Sequence, residues 1–506
     1  MSLKQLKISA RSSQLAKLQA YMVGDALISH NPNLKIKYEF RESLGDKNLT
    51  DPLWKMPEKG VFTEDFYLDL VQERTDMVVH SWKDLPVEHK TDTFISATLP
   101  RADQRDILIL KKDRSHKKII KIFTSSPRRE YNLKPFLKVA LPSLPEEVTF
   151  HNIRGNVPTR LRKLFADAEI DGLVLAKAAV DRFLQSRLED LQDVQKEIRQ
   201  YFADHLWMVL PLSVNPNAAA QGALAIEIKN DRQDLHKMLT AIHDEKTFKA
   251  AQLERQTLKK FGGGCHQKIG ISCLYRSYGE ILFLKGMTDQ GQILNEHKLT
   301  PQFSHHRIER AFKGTWSSSS LRPYTQRGNL KFDFDFEKER SGFFVSQIAA
   351  WTHDFHQQYN QSRYKHYIWT AGLETWKKLA EKGVWVNGSA EGLGEDENKM
   401  IDALVPKATW LKISHDQIED KRNSMMTYSL NLKLSDEQID EIEKQIDASE
   451  IIFWTSPFYF SEMFKLFPQI IQKKHACGVG HTFKYLVSKF HIQPYLFLNE
   501  QEFKKL

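Results

Sequence analysis

The sequence predicts an α/β protein of three or four folded units, and three observations carry that reading. A chain of 506 residues exceeds what one hydrophobic core organises. Residues 1 to about 230 alternate short apolar runs with amphipathic stretches, a pattern that implies largely parallel sheets with helices on both faces. That series restarts near residue 104 and changes character after about 240, so the units are separable along the chain.

Taken in order, Leu6 to Ala10 reads as a strand, followed by a helix with Leu15, Leu18, Met22 and Ala26 on one face. Further strands are predicted at Met77 to Val79, Ile107 to Leu110, Ile119 to Phe123, Val148 to His151 and Gly172 to Ala176. A helix through Phe248, Ala251, Leu258 and Phe261 then runs into Gly262-Gly263-Gly264-Cys265. Strands including Ile281 to Leu284 complete a small α+β unit. The stretch Gly314 to Gln326, with serines at 317 to 320, has the composition of a linker. A further α/β stretch follows it.

Composition narrows the function classes. An apolar fraction of 41% and a charged fraction of 27% are ordinary globular values. The net charge of +9 suits an acidic ligand, nucleic acid or simple solubility, and does not choose among them. Cys265, Cys273 and Cys477 cannot form a disulfide framework and include no zinc-type pair, so a reducing compartment and no metal are expected. Met1 to Lys7 shows no apolar signal core, and no apolar run approaches the ~20 residues that span a bilayer. A cytoplasmic monomer with no membrane or nucleic-acid partner is expected.

The chemistry gathers at strand ends. In open α/β sheets, ligands bind where strands end and helix N-termini point free N–H groups outward. Four such ends here carry cations and small hydroxyl residues: Arg11-Ser12-Ser13, His80-Ser81-Trp82-Lys83-Asp84, Thr124-Ser125-Ser126-Pro127-Arg128-Arg129, and Arg154 to Arg160. Ser126 and Pro127 fit the cap and first turn of a helix. Arginine suits carboxylates because its planar fork binds them bidentately. One such loop is ordinarily solvated surface; four together point to a polyanion-binding crevice. Asp84 among these cations reads as a surface ion pair or cap, or as a functional carboxylate. Cys265 reads as an inert thiol, or as a reactive one that glycines leave uncrowded and nearby cations favour as thiolate.

Over roughly residues 5 to 300 the sequence resembles the hydroxymethylbilane synthase (porphobilinogen deaminase) family. The matching stretches are Ile8 to Ala16, Gly45-Asp46, Lys59-Gly60-Val61-Phe62, His80 to Pro86, Thr124 to Arg129, Arg154 to Val157, Ala219 to Ala223 and Gly263-Gly264-Cys265. The resemblance implies two domains like the halves of periplasmic binding proteins, plus a third domain carrying the cofactor cysteine. By the same resemblance, Cys265 holds dipyrromethane through a thioether. Asp84 acts as the catalytic carboxylate with Lys83 and Arg11, and Ser13, Ser81, Thr124, Ser125, Arg128 and Arg129 contact the cofactor along with Lys83 and Asp84. Gln19, Arg154, Arg160 and Arg182 join Arg11 on the substrate, and Lys55, Lys59 and Phe62 fall on a loop over the site. The implied reaction condenses four porphobilinogen molecules, with loss of ammonia, into hydroxymethylbilane for haem biosynthesis. Two departures stand out. Pro127 replaces a leucine before the arginine pair, and Asn217 to Gly222 lacks one glycine before Gln221-Gly222, which could alter a hinge.

Residues from about 340 resemble uroporphyrinogen-III synthase more weakly, at Thr370 to Thr375, Ala390 to Leu393, Ile451 to Ser456 and Gly478 to Thr482. The expected layout is domain 1 over 1–102 and 205–228, domain 2 over 103–204, domain 3 over 229–305, a linker over 306–338 and the C-terminal α/β domain over 339–506. That last domain reads either as an active cyclase or as a reduced structural or docking module. A fused cyclase makes chemical sense, since free hydroxymethylbilane closes spontaneously to the wrong isomer.

Overall fold

The computed structural model describes residues 5–42, 64–88, 90–262, 267–303, 311–337, 341–362, 364–406, 408–418 and 421–506. The chain divides into two compact units. The first comprises Met1–Lys138, Pro145–Tyr275 and Leu282–Glu296, and the second Val139–Leu144, Arg276–Ile281 and His297–Leu506.

In the first unit, strands β1 (Gln5–Arg11), β2 (Lys35–Arg41), β3 (Met77–Ser81) and β4 (Thr93–Ala97) form most of one sheet. The chain then crosses and builds β5 (Asp106–Leu110), β6 (Ile119–Phe123), β7 (Glu147–His151), β8 (Gly172–Ala176) and β9 (Leu206–Val209). It crosses back to place β10 (Leu224–Lys229) in the first sheet. The two five-stranded orders are β2-β1-β3-β10-β4 and β7-β6-β8-β5-β9. Each sheet contains a single antiparallel strand, β10 in the first and β5 in the second, and in each case it is the strand formed on arrival from the other sheet. Elsewhere the pairing is parallel, as with β1 beside β2 and β3 and β6 beside β7 and β8. All six strands predicted from residues 6 to 176 are present.

The cores explain the burial pattern. Leu6, Ile8 and Ala10 of β1 pack with Val23 and Leu27 of the helix Gln14–His30 and with Ile226 and Ile228 of β10. At roughly 25 cal/mol per Å² of apolar surface, such clusters supply the main drive for each lobe. The helix Glu245–Lys259 leads toward a third sheet, β11 (Gly270–Arg276), β12 (Gly279–Met287) and β13 (Ile293–Pro301), in that order.

The second unit holds two more sheets. Strands β14 (Thr315–Ser317) and β15 (Thr325–Asn329) come from the stretch expected as a linker over 306–338, so that expectation is corrected. The serine run there is held rather than slack. Ser317 and Ser319 both donate to Glu500, and Ser318 Oγ lies 3.0 Å from Thr455 Oγ1. The remaining strands are β16 (Ser341–Val345), β17 (Tyr367–Thr370), β18 (Gly388–Ser389), β19 (Thr409–His415), β20 (Ser424–Leu432), β21 (Ile451–Trp454), β22 (Lys474–Gly478) and β23 (Tyr495–Phe497). They form an all-parallel sheet β14-β21-β22-β23 and a six-stranded sheet β15-β20-β19-β16-β17-β18, antiparallel only at β15–β20. Among the described residues no helix is long and apolar enough to cross a membrane.

Candidate active site

Parallel pairing puts the carboxyl ends of β1 and β3 on one edge and those of β6 and β7 on another, which gathers the four basic loops into two groups. Ser13 caps the helix Gln14–His30, its side chain accepting from Ala16 N at 3.3 Å. Arg11 ends β1 and is half-buried. Ser81 ends β3 and donates to Gln19 Oε1 at 3.0 Å, while the buried Gln19 Nε2 has no protein partner among the described residues. The 3₁₀ turn Trp82–Asp84 then lifts Asp84 into solvent, where no hydrogen bond or ion pair among the described residues engages its carboxylate.

On the second sheet, Thr124 is buried and the helix Pro127–Ala140 begins at the expected proline. Ser125 Oγ accepts from Ile153 N at 3.0 Å and so joins the third loop to the fourth. Asn156 caps the helix Val157–Ala166, taking Thr159 N at 2.9 Å.

Arg128 and Arg129 were expected to grip ligand carboxylates, and the structure shows them already committed to an internal one. Asp106, the first residue of β5, is fully buried. It accepts from Arg128 Nη2 at 2.8 Å, from Arg129 Nε and Nη2 at 3.0 and 2.7 Å, from Asn215 Nδ2 at 2.8 Å and from Gln221 Nε2 at 2.9 Å. Burial by itself would raise this carboxyl, but Arg128 and then Arg129 outweigh it and hold the group well below the usual carboxylate range. Two guanidinium charges against one carboxylate still leave a positive excess there.

The other cations differ. Arg160 donates Nε to Gly155 O at 2.7 Å, and no carboxylate pairs with it among the described residues. Its pKa is pulled down to about 10, by burial first and then by Arg129 and Arg154, so two other guanidinium charges lie within reach of it. Arg182 is buried, gives Nη2 to Gly222 O at 2.8 Å, and has no protein acceptor for Nε among the described residues. Burial pulls it too down to about 10, against the opposing pull of Asp181. Arg154 is half-buried on the fourth loop. Lys83 Nζ donates to Gln221 Oε1 at 3.2 Å, and burial lowers its pKa.

Cys265, Lys55, Lys59 and Phe62 lie outside the described residues. Asp106 and Gln221 as organising groups were not anticipated, although one signal for Asp106 was present. A single carboxylate heading an otherwise apolar strand, Asp106-Ile107-Leu108-Ile109-Leu110, demands cations.

This donor set fits a ligand with several carboxylates. Buried N–H groups on Gln19 and Arg182 lack acceptors among the described residues, and Arg160, beside the charges of Arg129 and Arg154, pairs with no carboxylate there. In the first unit, the fold and site thus define an α/β protein of two five-stranded sheets joined by paired crossings, with basic strand ends suited to a polycarboxylate. Comparisons with known proteins agree. The family described as "Porphobilinogen deaminase, dipyromethane cofactor binding domain" matches residues 6–237. The porphobilinogen deaminase of Syntrophomonas wolfei is 34% identical over 288 residues, which cover 56% of this chain and 85% of that protein. That of Prochlorococcus marinus is 31% identical over 288 residues, covering 56% and 82%. The chain belongs to the porphobilinogen deaminase family, enzymes that carry a dipyrromethane cofactor. Among solved structures, uroporphyrinogen-III synthetase from Helicobacter pylori overlaps 38% of this chain and all of its own (100%) at 13% identity and a TM-score of 0.26. An overlap that slight assigns neither fold nor function.

Proposed function

We propose that the chain condenses porphobilinogen head to tail, with loss of ammonia, into hydroxymethylbilane. The observation that carries this reading is the placement of Asp84. It is an exposed carboxylate with no hydrogen-bonding partner among the described residues, next to Lys83 and the arginine-rich edge. Its carboxylate is suited to accept the substrate's pyrrole N–H and to steady the positive charge that develops at the methylene carbon as ammonia departs. Arg11, Lys83, Arg154, Arg160 and Arg182 bind acetate and propionate groups and so orient each incoming ring. Arg128 and Arg129 offer the N–H groups that Asp106, Asn215, Pro216 and Val174 leave over, together with Ser13, Ser81, Thr124 and Ser125. Gln19 contributes its buried N–H. In this reading Cys265 is the cofactor's thioether anchor, and Lys55, Lys59 and Phe62 take part in substrate binding. When bound, the dipyrromethane supplies the pyrrole carbon that the first substrate joins.

The test is the intact mass of the purified chain before and after porphobilinogen. An excess equal to a dipyrromethane, growing in single-pyrrole steps, supports the reading, and an unmodified mass that ignores substrate defeats it. Asp84→Asn should keep fold and adduct while turnover falls by roughly 100-fold or more. Near-normal turnover in that variant removes Asp84 from the mechanism.

A second reading concerns the C-terminal half, which forms two sheets whose parallel strands run out into hydroxyl residues: Ser346, Thr370 and Ser414 from one, Ser318, Thr455 and Ser456 from the other. Thr370 Oγ1 is buried with no partner among the described residues. This supports cyclisation of the linear product to uroporphyrinogen III rather than a reduced docking module. Isomer analysis of the oxidised product of the full chain decides between them, since type I alone means no cyclase.

A further inference from the structure

Gln221 stands where the two five-stranded sheets exchange chain, and its amide is engaged at both ends. Oε1 accepts from Lys83 Nζ at 3.2 Å on the first lobe. Nε2 donates to Gln104 O at 2.8 Å and to Asp106 Oδ1 at 2.9 Å on the second. The backbone around it is held as firmly. Gln221 O accepts from Arg101 Nε at 2.9 Å, and Gly222 O accepts from Arg182 Nη2 at 2.8 Å and Ala102 N at 3.2 Å. A Cβ on Gly222 would sit 2.6 Å from Ala102 O, so the two crossing segments touch at this turn. The side chain is buried, at 1% exposure, and has little room to swing.

We propose that Gln221 is a positioning residue for the reaction: it ties the Lys83 ammonium, and so the Lys83–Asp84 turn, to the Asp106–Arg128–Arg129 group across the crossing segments. An amide suits the place because it presents an acceptor to an ammonium and donors to a carboxylate from one side chain. A hydrocarbon leaves both charges short of a partner, and a carboxylate answers the ammonium but opposes Asp106. The inference rests on the reading that Lys83 and Asp84 serve the deaminase reaction. The charged groups facing Lys83 are Asp84 beside it in the chain, and Arg129, Asp106 and Arg128 from the second lobe.

The experiment is the pH–rate profile of the full chain with Gln221→Met and Gln221→Glu, two substitutions of similar size. Loss of the acceptor destabilises the charged ammonium, so Gln221→Met should move the alkaline limb down by about one pH unit. It should also lower kcat/KM roughly tenfold, the loss expected for one charge-assisted hydrogen bond. Gln221→Glu gives the ammonium an anionic acceptor, so its limb should move up. Opposite movements uphold the proposal, whereas a limb that stays in place, or moves the same way in both variants, overturns it. If Gln221→Met does not fold, the direction of the Gln221→Glu limb decides alone. In a Lys83→Met background the Gln221→Met shift should vanish, and its persistence would mean that Gln221 does not act through Lys83. Failure of the deaminase reading itself is separately visible, as a wild-type chain that consumes no porphobilinogen.

Discussion

Arg129 and Arg160 lie close enough for each to feel the other's charge, yet they are built for different work. Arg129, with Arg128, is fixed by the buried Asp106 carboxylate and by Val174 O at 3.1 Å. Arg160 meets a carbonyl, two neighbouring guanidinium charges and no carboxylate among the described residues. The contrast teaches how a basic site can be assembled without pushing the fold apart. One pair of arginines is neutralised internally enough to be buried, and serves as the platform. Arg160 keeps its charge unanswered by any carboxylate among the described residues, and in the proposed reaction the acetate and propionate groups of the ligand answer it. Proteins seldom bury an unpaired charge, because removing one member of a buried ion pair typically costs about 3–5 kcal/mol.

The largest test of that contrast removes the platform's carboxylate. Asp106→Asn strands Arg128 and Arg129 in the interior and should destabilise the chain by about 3–5 kcal/mol in urea denaturation. The pH dependence carries the same signature. The folded carboxyl is held below its unfolded value of about 4, so its stabilisation is fully present above that value and is lost as pH falls through the lower folded value. The acid limb of stability against pH should therefore flatten in Asp106→Asn. An unchanged limb and unchanged stability mean that the arginines do not depend on Asp106.

Arg160→Met sharpens the other side of the comparison. Removing a cation that opposes its neighbours should leave stability equal or slightly higher, while kcat/KM falls roughly 10- to 100-fold through lost charge-assisted bonds to ligand carboxylates. A variant that loses stability in step with activity places Arg160 in the platform instead.

The same contrast shows what sequence could tell. The four basic loops were legible because each is local: a strand, then cations and small hydroxyl residues, then a helix start. The Asp106 lock was not, since its partners lie 22, 23, 109 and 115 residues away and are assembled only by the chain's two crossings. Strand direction was hidden for a related reason. The apolar runs of β5 and β10 look like those of their parallel neighbours, and nothing in their composition records that they enter each sheet reversed. Ser317 to Ser320 were misread as linker because a hydroxyl-rich run has the same composition whether it is solvated or bonded to Glu500 and Thr455. The position lacking the family's glycine, by contrast, was visible in the sequence as a departure just before Gln221-Gly222, although its backbone conformation was not.

That position yields the smallest effect. Ala220 has φ 62°, the left-handed region where a Cβ crowds the following carbonyl and costs roughly 1–2 kcal/mol. The conformation is imposed by its surroundings: Ala220 N donates to Glu254 Oε2 at 2.7 Å, and Ala220 O accepts from Ala223 N at 3.1 Å. Glu254 is itself held by Arg101 at 2.8 and 2.7 Å and by Cys273 N at 2.8 Å, so the turn cannot relax without breaking a buried carboxylate's contacts. Ala220→Gly removes the steric cost but gives the unfolded chain more freedom, worth about 0.5–1 kcal/mol against folding. The net gain should be about 0.5–1 kcal/mol, read as a higher midpoint in urea with an unchanged slope. A loss of stability would mean that the alanine methyl, fully buried beside Trp82 and Ala251, contributes more packing than the backbone strain takes away.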